Sequence, residues 1–447
     1  MMPLVGVPET IGHGMAAYRE VFCRAEGFAH VSRYVTGLLL SPNKTLQGIY
    51  AAQVWEPGEF RSRRAMHEAV FEAGWAADAL MPHHRAVIAG AYRGRGRGVI
   101  SLDWTYAHHE RSRKMWGVKK AWDHVEHRLA PYQTVVTAVI ANRTRLDGLE
   151  VLVQQPNRQD EERAYLQETV RDSYTQMADA RARVLELLHH LVHRLGYKKR
   201  TEIARDIVQH LEQEGHFPQA HYAFDHGVLS LELSRCIEHA GKHWVSELEC
   251  SRHLQWQGRW QRVDAVAHAL QQAHPESFRA VRVRCRNGET KSFWVFTKVV
   301  RLKRYGRKRL VIVHEQEDLG DVPRFLLTDA LHWESSRVIE TWSYRWAAEI
   351  FHEFGKQVCG LEAAQVRKEE AVKRHFRLSC VAQSLLQQAP ASGSETERFA
   401  FAQGAITVGQ KVRTIARDAL QSLLKLVEQL FAHGHSCEHI LGILMPA

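Results

Sequence analysis

The stretch VISLDWT, Val99 to Thr105, decides how the rest of the chain is read. Polar and apolar side chains alternate along it with a period near two, as in a strand, and the strand ends on an acid, Asp103. Two further β-rich runs follow, YQTVVTAVIAN (Tyr132 to Asn142) and LEVLVQQ (Leu149 to Gln155). Helical spacing then covers Asp160 to Glu214, interrupted near Gly196. Next come a short strand, AHYAFD (Ala220 to Asp225), a helix over Leu229 to Ala240 and another strand, HWVSEL (His243 to Leu248). The order β-β-β-α-β-α-β predicts an α/β fold with a mixed sheet flanked by helices, because strands joined through helices must lie parallel.

Working outward, residues 1 to about 92 carry apolar side chains at helical spacing, such as Phe28, Val31, Tyr34, Val35 and Leu38, and end in the Gly-Arg run YRGRGRG. A small helical domain followed by a basic linker is expected. Downstream, FRAVRVRCR, SFWVFTKVV and RLVIVHE read as strands of a β-rich insertion. Between Arg279 and Arg309 stand twelve Lys and Arg against one acid, Glu289. Such an excess repels itself unless an anion neutralises it, so Arg301, Lys303, Arg304, Arg307, Lys308 and Arg309 are expected to face a polyphosphate. After FLLTDA (Phe325 to Ala330) the chain is helical to its end, apart from a loop at Ala389 to Glu395. The expected division is a helical DNA-binding domain over 1–97, a catalytic core over 98–248 and 322–390, the basic insertion over 249–321, and a helical region over 391–447.

The whole chain sets the class. It has 447 residues, a net charge of +10 and seven cysteines, none in a C-x-x-C pair. Neither a disulfide scaffold nor a cysteine zinc site is indicated. No apolar run approaches the roughly 18 residues of a membrane span, and the N-terminus has no secretory pattern. A cytoplasmic, nucleoid-associated protein with a polyanionic partner and no membrane contact is the expectation. The histidines at 108, 109, 124 and 127, those at 189, 190 and 193, and Cys437 with His439 lack the spacing of a known metal site and read as surface or core residues. No G-x-S-x-G or phosphate-binding loop motif occurs.

Three carboxylates stand out. Asp103 and Asp225 end the first and fourth strands, where an α/β sheet opens its ligand crevice. Glu349 lies in TWSYRWAAEIFHEFGKQVCGL. On one continuous helix it shares an arc of roughly 60° with Trp342, Arg345 and Lys356, beside an apolar stripe of Trp346, Ile350, Phe351 and Phe354. Singly, each acid reads as a turn residue, a cap or a solvated helix face. Together in one crevice they would repel one another unless hard divalent cations lay between them. Two Mg2+ or Mn2+ ions so held suit phosphodiester cleavage or transfer, with Arg345 and Lys356 on phosphates.

The conjunction resembles the DDE transposases of bacterial insertion sequences, in the cut-and-paste group with a Tyr-Arg-Glu-Lys motif around the catalytic Glu. Four stretches carry the resemblance: LDWT at Leu102 to Thr105, YAFDHG at Tyr222 to Gly227, TWSYRWAAEIFHEFGK at Thr341 to Lys356, and the helical segment Cys359 to Leu386. The resemblance implies a ribonuclease H-like catalytic domain with Asp103, Asp225 and Glu349 as catalytic acids and ligands of two metal ions. It also implies DNA contacts from Trp342, Arg345 and Lys356, double-stranded transposon ends and target DNA as partners, and a homodimer on paired ends. Two positions depart from the family pattern: Trp342 replaces the tyrosine, and Trp104 follows the first acid. A former transposase that only binds DNA, and a structure-specific nuclease of the same fold, are the competing readings.

Overall fold

The computed structural model describes residues 2–55, 62–93, 98–110, 114–123, 126–157, 163–168, 186, 197–286, 288–390 and 406–445. The Gly-Arg run at 94–97, the histidines at 124, 189, 190 and 193, most of the stretch read as helix over 160–196 and most of the loop at 389–395 lie outside those residues.

Among the described residues, beside a short parallel pair of Leu4–Val5 and Gln53–Val54, a mixed sheet of twelve strands organises the molecule. In chain order these are β1 (Val99–His108), β2 (Lys119–Asp123), β3 (Arg128–Ala141), β4 (Leu146–Val153), β5 (His221–Phe224), β6 (Trp244–Glu247), β7 (His253–Trp256), β8 (Arg259–Arg262), β9 (Arg279–Arg284), β10 (Thr290–Leu302), β11 (Gly306–His314) and β12 (Arg324–Thr328). Across the sheet they run β8-β7-β10-β11-β12-β6-β5-β1-β3-β2, with β9 beside β10 and β4 beside β3. The first three expected strands pair antiparallel, and β1, β5 and β6 are parallel neighbours, as helical crossovers require.

The sheet differs from the sequence reading in several places, including the edge pair β7–β8. An additional strand, β2, pairs along Arg128–Tyr132, beside the place where β4 pairs along Val135–Ala141. Its sequence, KKAWD, has the lysines of an edge strand and little apolar signal. The β-rich insertion also continues the central sheet, because β12 pairs with both β6 and β11.

Helices cover both faces. α1 (Glu9–Ala16), α2 (Ala25–Leu40) and α3 (Ala77–Ala89) belong to the N-terminal part. α4 (Arg200–Glu214) and α5 (Leu231–His239) connect the parallel strands, and α6 (Val263–Ala273) lies within the insertion. The chain then forms α7 (Ser335–Ser343), α8 (Trp346–Gln357), α9 (Glu369–Gln388), α10 (Val408–Ala432) and α11 (Cys437–Leu444). On one face Val135, Val139 and Ala223 share a core with Phe351 of α8, Phe376 of α9 and residues Met15, Tyr34 and Leu38 of the N-terminal helices. On the other, Ile100, Leu102, Val136 and Ala138 pack on Ile207 of α4 and Leu233 of α5. A third core joins Val311 and Val313 to Val338 and Ile339 of α7.

α9 is buried almost all round, so its polar side chains need internal partners. Arg374 donates to the carbonyls of Ala73 and Trp75, Arg377 meets Asp78 at 2.5 Å, and His375 is held between Tyr34 Oη at 2.8 Å and the Gly360 carbonyl at 2.9 Å. Gly148 marks the closest approach of β4 to these helices: a Cβ there would lie 2.4 Å from Cys380 Sγ and 2.7 Å from the Phe351 ring. No helix among the described residues is long and apolar enough to cross a membrane.

Candidate active site at the end of the parallel strands

Register places the acids. Leu102 of β1 lies opposite Phe224 of β5, and Phe224 lies opposite Ser246 of β6. One residue further along each strand come Asp103, Asp225 and Glu247, which therefore form a row across adjacent strands on one face, about 5 Å from strand to strand. Asp103 stands in the middle of β1, not at its end; β5 stops beside it, and that termination opens the crevice. Glu349, in the first turn of α8, joins from the helix layer above.

The helix expected over the third motif is two helices. α7 ends at Ser343 and α8 begins at Trp346, joined by a tight turn in which Tyr344 N–H bonds to Thr341 O and Arg345 N–H to Trp342 O. One straight helix could not serve both cores, since Val338 and Trp342 pack on the insertion side while Ala347, Ala348 and Phe351 pack on the central sheet. Ser101 Oγ of β1 donates to the Arg345 carbonyl at 3.0 Å and pins the junction over the acids. The shared arc of Trp342, Arg345, Glu349 and Lys356 is accordingly broken, and Trp342 occupies a different helix from Glu349 and Lys356.

The electrostatics show an excess of negative charge. Burial, together with the charges of Asp225 and Glu349, pushes the Asp103 carboxyl up to about 6 even though Trp104 N–H and Arg345 favour its ionised form. Burial acts on Asp225 in the same direction, but the His226 backbone N–H, a hydrogen bond from Glu247, the His226 ring and Arg345 outweigh it and hold Asp225 below the usual range. Glu247 is raised by burial and by Asp225, so of the two Asp225 gives up its proton first. The ligand atoms of Asp225, His226 and Glu247 lie within 4.8 Å of one another. Asp103 and Glu349 are not gathered into that group among the described residues; Glu349 is held instead by Arg345 at 2.5 Å.

Sequence reading missed Glu247, although a carboxylate closing a strand parallel and adjacent to the one before Asp225 is the signal that could have found it. Lys356 is taken up internally, donating to Tyr106 O at 2.6 Å and pairing with Glu362 at 3.1 Å. The guanidinium groups of Arg324 and Arg345 lie 5.3 and 5.6 Å from the centre of the Trp342 ring, whose Nε1 is buried and has no hydrogen-bond partner among the described residues.

The basic residues of the insertion divide between the two ends of its strands. Arg301, Lys303, Arg304 and Arg307 are exposed around the β10–β11 turn, which the register places at the end away from Asp225 and Glu247. Beside them lies a cavity of about 250 Å3. Lys308 pairs with Glu238 at 3.1 Å and Arg309 with the Leu331 carbonyl, so both support the fold. The β9–β10 turn lies at the acid end, where Arg286 N–H bonds to Ser343 Oγ at 3.1 Å.

A second cluster with metal-ligand chemistry, His108, Asp123 and Glu126, is tied to its surroundings: His108 Nε2 lies 2.5 Å from Asp123 Oδ2, His108 Nδ1 3.6 Å from Glu362, and Glu126 2.6 Å from Arg128. No protein-family model matches the chain, and no curated protein matches its sequence.

Proposed function

We propose that the chain is a metal-dependent DNA transposase of the DDE type on a ribonuclease H-like core, cleaving DNA at element ends and transferring the 3′-hydroxyl to target DNA. One observation carries the reading: the parallel register of β1, β5 and β6 sets Asp103, Asp225 and Glu247 in one row, and Glu349 of α8 is near enough for its charge to raise Asp103. A donor set led by carboxylates suits Mg2+ or Mn2+, and the like charges of Asp225 and Glu349, which add to burial in raising Asp103, are what a divalent cation would relieve. Asp103, Asp225 and Glu349 would hold two ions, with Glu247 as an additional oxygen donor. Bound there, the ions supply an activated water or hydroxyl and stabilise the leaving oxygen.

The chain's own groups do the rest. Arg345 is free to exchange its bond with Glu349 for one to a scissile phosphate, and its bidentate guanidinium fixes the phosphate's orientation. Arg301, Lys303, Arg304 and Arg307 offer a more distant phosphate-binding surface. α10 buries Ile415 and Ala419 while exposing Leu420, Leu424 and Phe431, an apolar face that supports a homodimer on paired ends.

The test is cleavage of DNA bearing the element's own inverted repeats in magnesium. Alanine at Asp103, Asp225 or Glu349 should abolish cleavage while DNA binding persists. Cleavage retained by any one of the three variants would refute the assignment, and cleavage that needs a branch but no terminal sequence would mark a structure-specific nuclease.

A further inference from the structure

Back to back with the carboxylates, on the opposite face of β1, lies a cleft that the transposase reading leaves unused. Side chains alternate along a strand, so Trp104 and Tyr106 point away from Asp103 toward the face covered by α4. Tyr132 and Lys119 on the neighbouring strands, with Lys199 and Arg200 at the start of α4, help to enclose about 630 Å3. That volume falls within the ligand-cleft range of roughly 300–1,000 Å3. Among the described residues its lining includes three cations and no carboxylate.

The cations lie over the rings. Arg200 is 4.2 Å from the centre of the Trp104 ring and Lys119 Nζ is 5.5 Å from that of Tyr132, while Tyr106 and Tyr132 lie 4.3 Å apart. Burial and the charge of Arg200 make the ammonium form of Lys119 harder to keep, so a site anion would relieve it. The N-terminus of the 15-residue α4 faces the same space and also favours negative charge.

The cleft and the crevice share neighbouring residues of the chain. Trp104 adjoins Asp103 in sequence, and Gly227, two residues beyond Asp225, is the loop position against its ring. A Cβ at Gly227 would lie 3.4 Å from Trp104, so a side chain there would reach the ring that lines the cleft.

We infer that this cleft binds an unpaired stretch of the DNA strand, one or two bases stacking among Trp104, Tyr106 and Tyr132 while their phosphates rest on Lys119, Lys199 and Arg200. Rings beside cations read the π-face of a base, and in a duplex that face is hidden by stacking. The strand identity rests on the DNA-processing reading above; the stacking chemistry does not.

The experiment is fluorescence anisotropy on the full chain in EDTA. It uses a duplex with a thymidine tail, the same duplex blunt, and the same duplex with an abasic tail of equal charge. The thymidine tail should tighten binding about tenfold over the blunt end, as the stacking of a single base allows. Trp104→Leu and Arg200→Gln should each remove most of that gain, and Trp104→Phe should restore it. Because Arg200 lies at a helix start, its variant reports on the cleft even if Trp104→Leu unfolds. Equal binding of blunt and tailed DNA, an abasic tail as good as thymidine, or an Arg200→Gln variant that keeps the full gain would overturn the inference. A tail preference without magnesium-dependent cleavage would sink the transposase reading and leave the cleft standing; cleavage without a tail preference would do the reverse.

Discussion

Asp103 is the residue at which folding and function pull apart. Its carboxyl sits at about 6 in the folded protein against an ordinary value of 3.8, so its favourable contribution is complete below about pH 4 and is lost as pH rises through 6. At neutral pH the ionised group costs about 2–3 kcal/mol, taking 1.4 kcal/mol per pH unit. Asp103→Asn should therefore raise the melting temperature in EDTA at pH 7.5, with no gain near pH 4, while abolishing cleavage. Magnesium should shrink the neutral-pH difference by stabilising the wild type alone. A variant no more stable than wild type at pH 7.5 would mean that burial and the neighbouring acids do not penalise the ionised Asp103. Of the acids singled out from the sequence, Asp225 follows the last residue of its strand as expected, whereas Asp103 lies in mid-strand and faces the crevice because β5 stops beside it. Glu247 was not legible, because one glutamate in HWVSEL is unremarkable until the β5–β6 register sets it beside Asp225. Lys356 was misjudged for the converse reason: its spacing fits a phosphate contact, but the Tyr106 carbonyl and Glu362 lie within its reach first.

At the level of elements, the strands of the core could be read to within a few residues because β-branched runs punctuated by turns leave little choice. The join between α7 and α8 could not be read, since no proline or glycine marks it; competition between two cores creates it. Its placement depends on how closely α8 and α9 approach β4 over Gly148. Gly148→Ala should cost about 1–3 kcal/mol by overpacking, with the same sign in urea unfolding and in thermal melts. Adding Cys380→Ala should recover part of that loss, because Cys380 Sγ is the nearest obstacle. Strict additivity of the two changes would show that the contact is not shared.

For the molecule as a whole, three buried histidines tie its layers together. His84 bonds Tyr18 Oη at 2.7 Å and the Gly148 carbonyl at 3.0 Å, His352 bonds Thr137 Oγ1 at 2.8 Å, and His375 joins α2 to α9. Burial pushes them down to about 4, 3 and 4 respectively. Depressed histidines contribute stability above about pH 6.5 that is lost as pH falls toward 4. Three of them taking up protons on unfolding, against Asp103 already holding its own, leaves a net uptake near two, or about 2.7 kcal/mol per pH unit around pH 5. Urea unfolding at pH 5, 6 and 7 measures that slope, and a flat profile would contradict the burial.

The pairing of Tyr34 with His375 spans 341 residues. A ribosome adding about 5–20 residues per second needs roughly 20–70 s to cover that interval. During that time α2 has emerged with its apolar side bare, waiting for α9 to be translated. Newly made chains thus pass through a long adhesive infancy, in which chaperones, proteases and neighbouring copies on the same messenger compete for them before the first fully folded molecule exists.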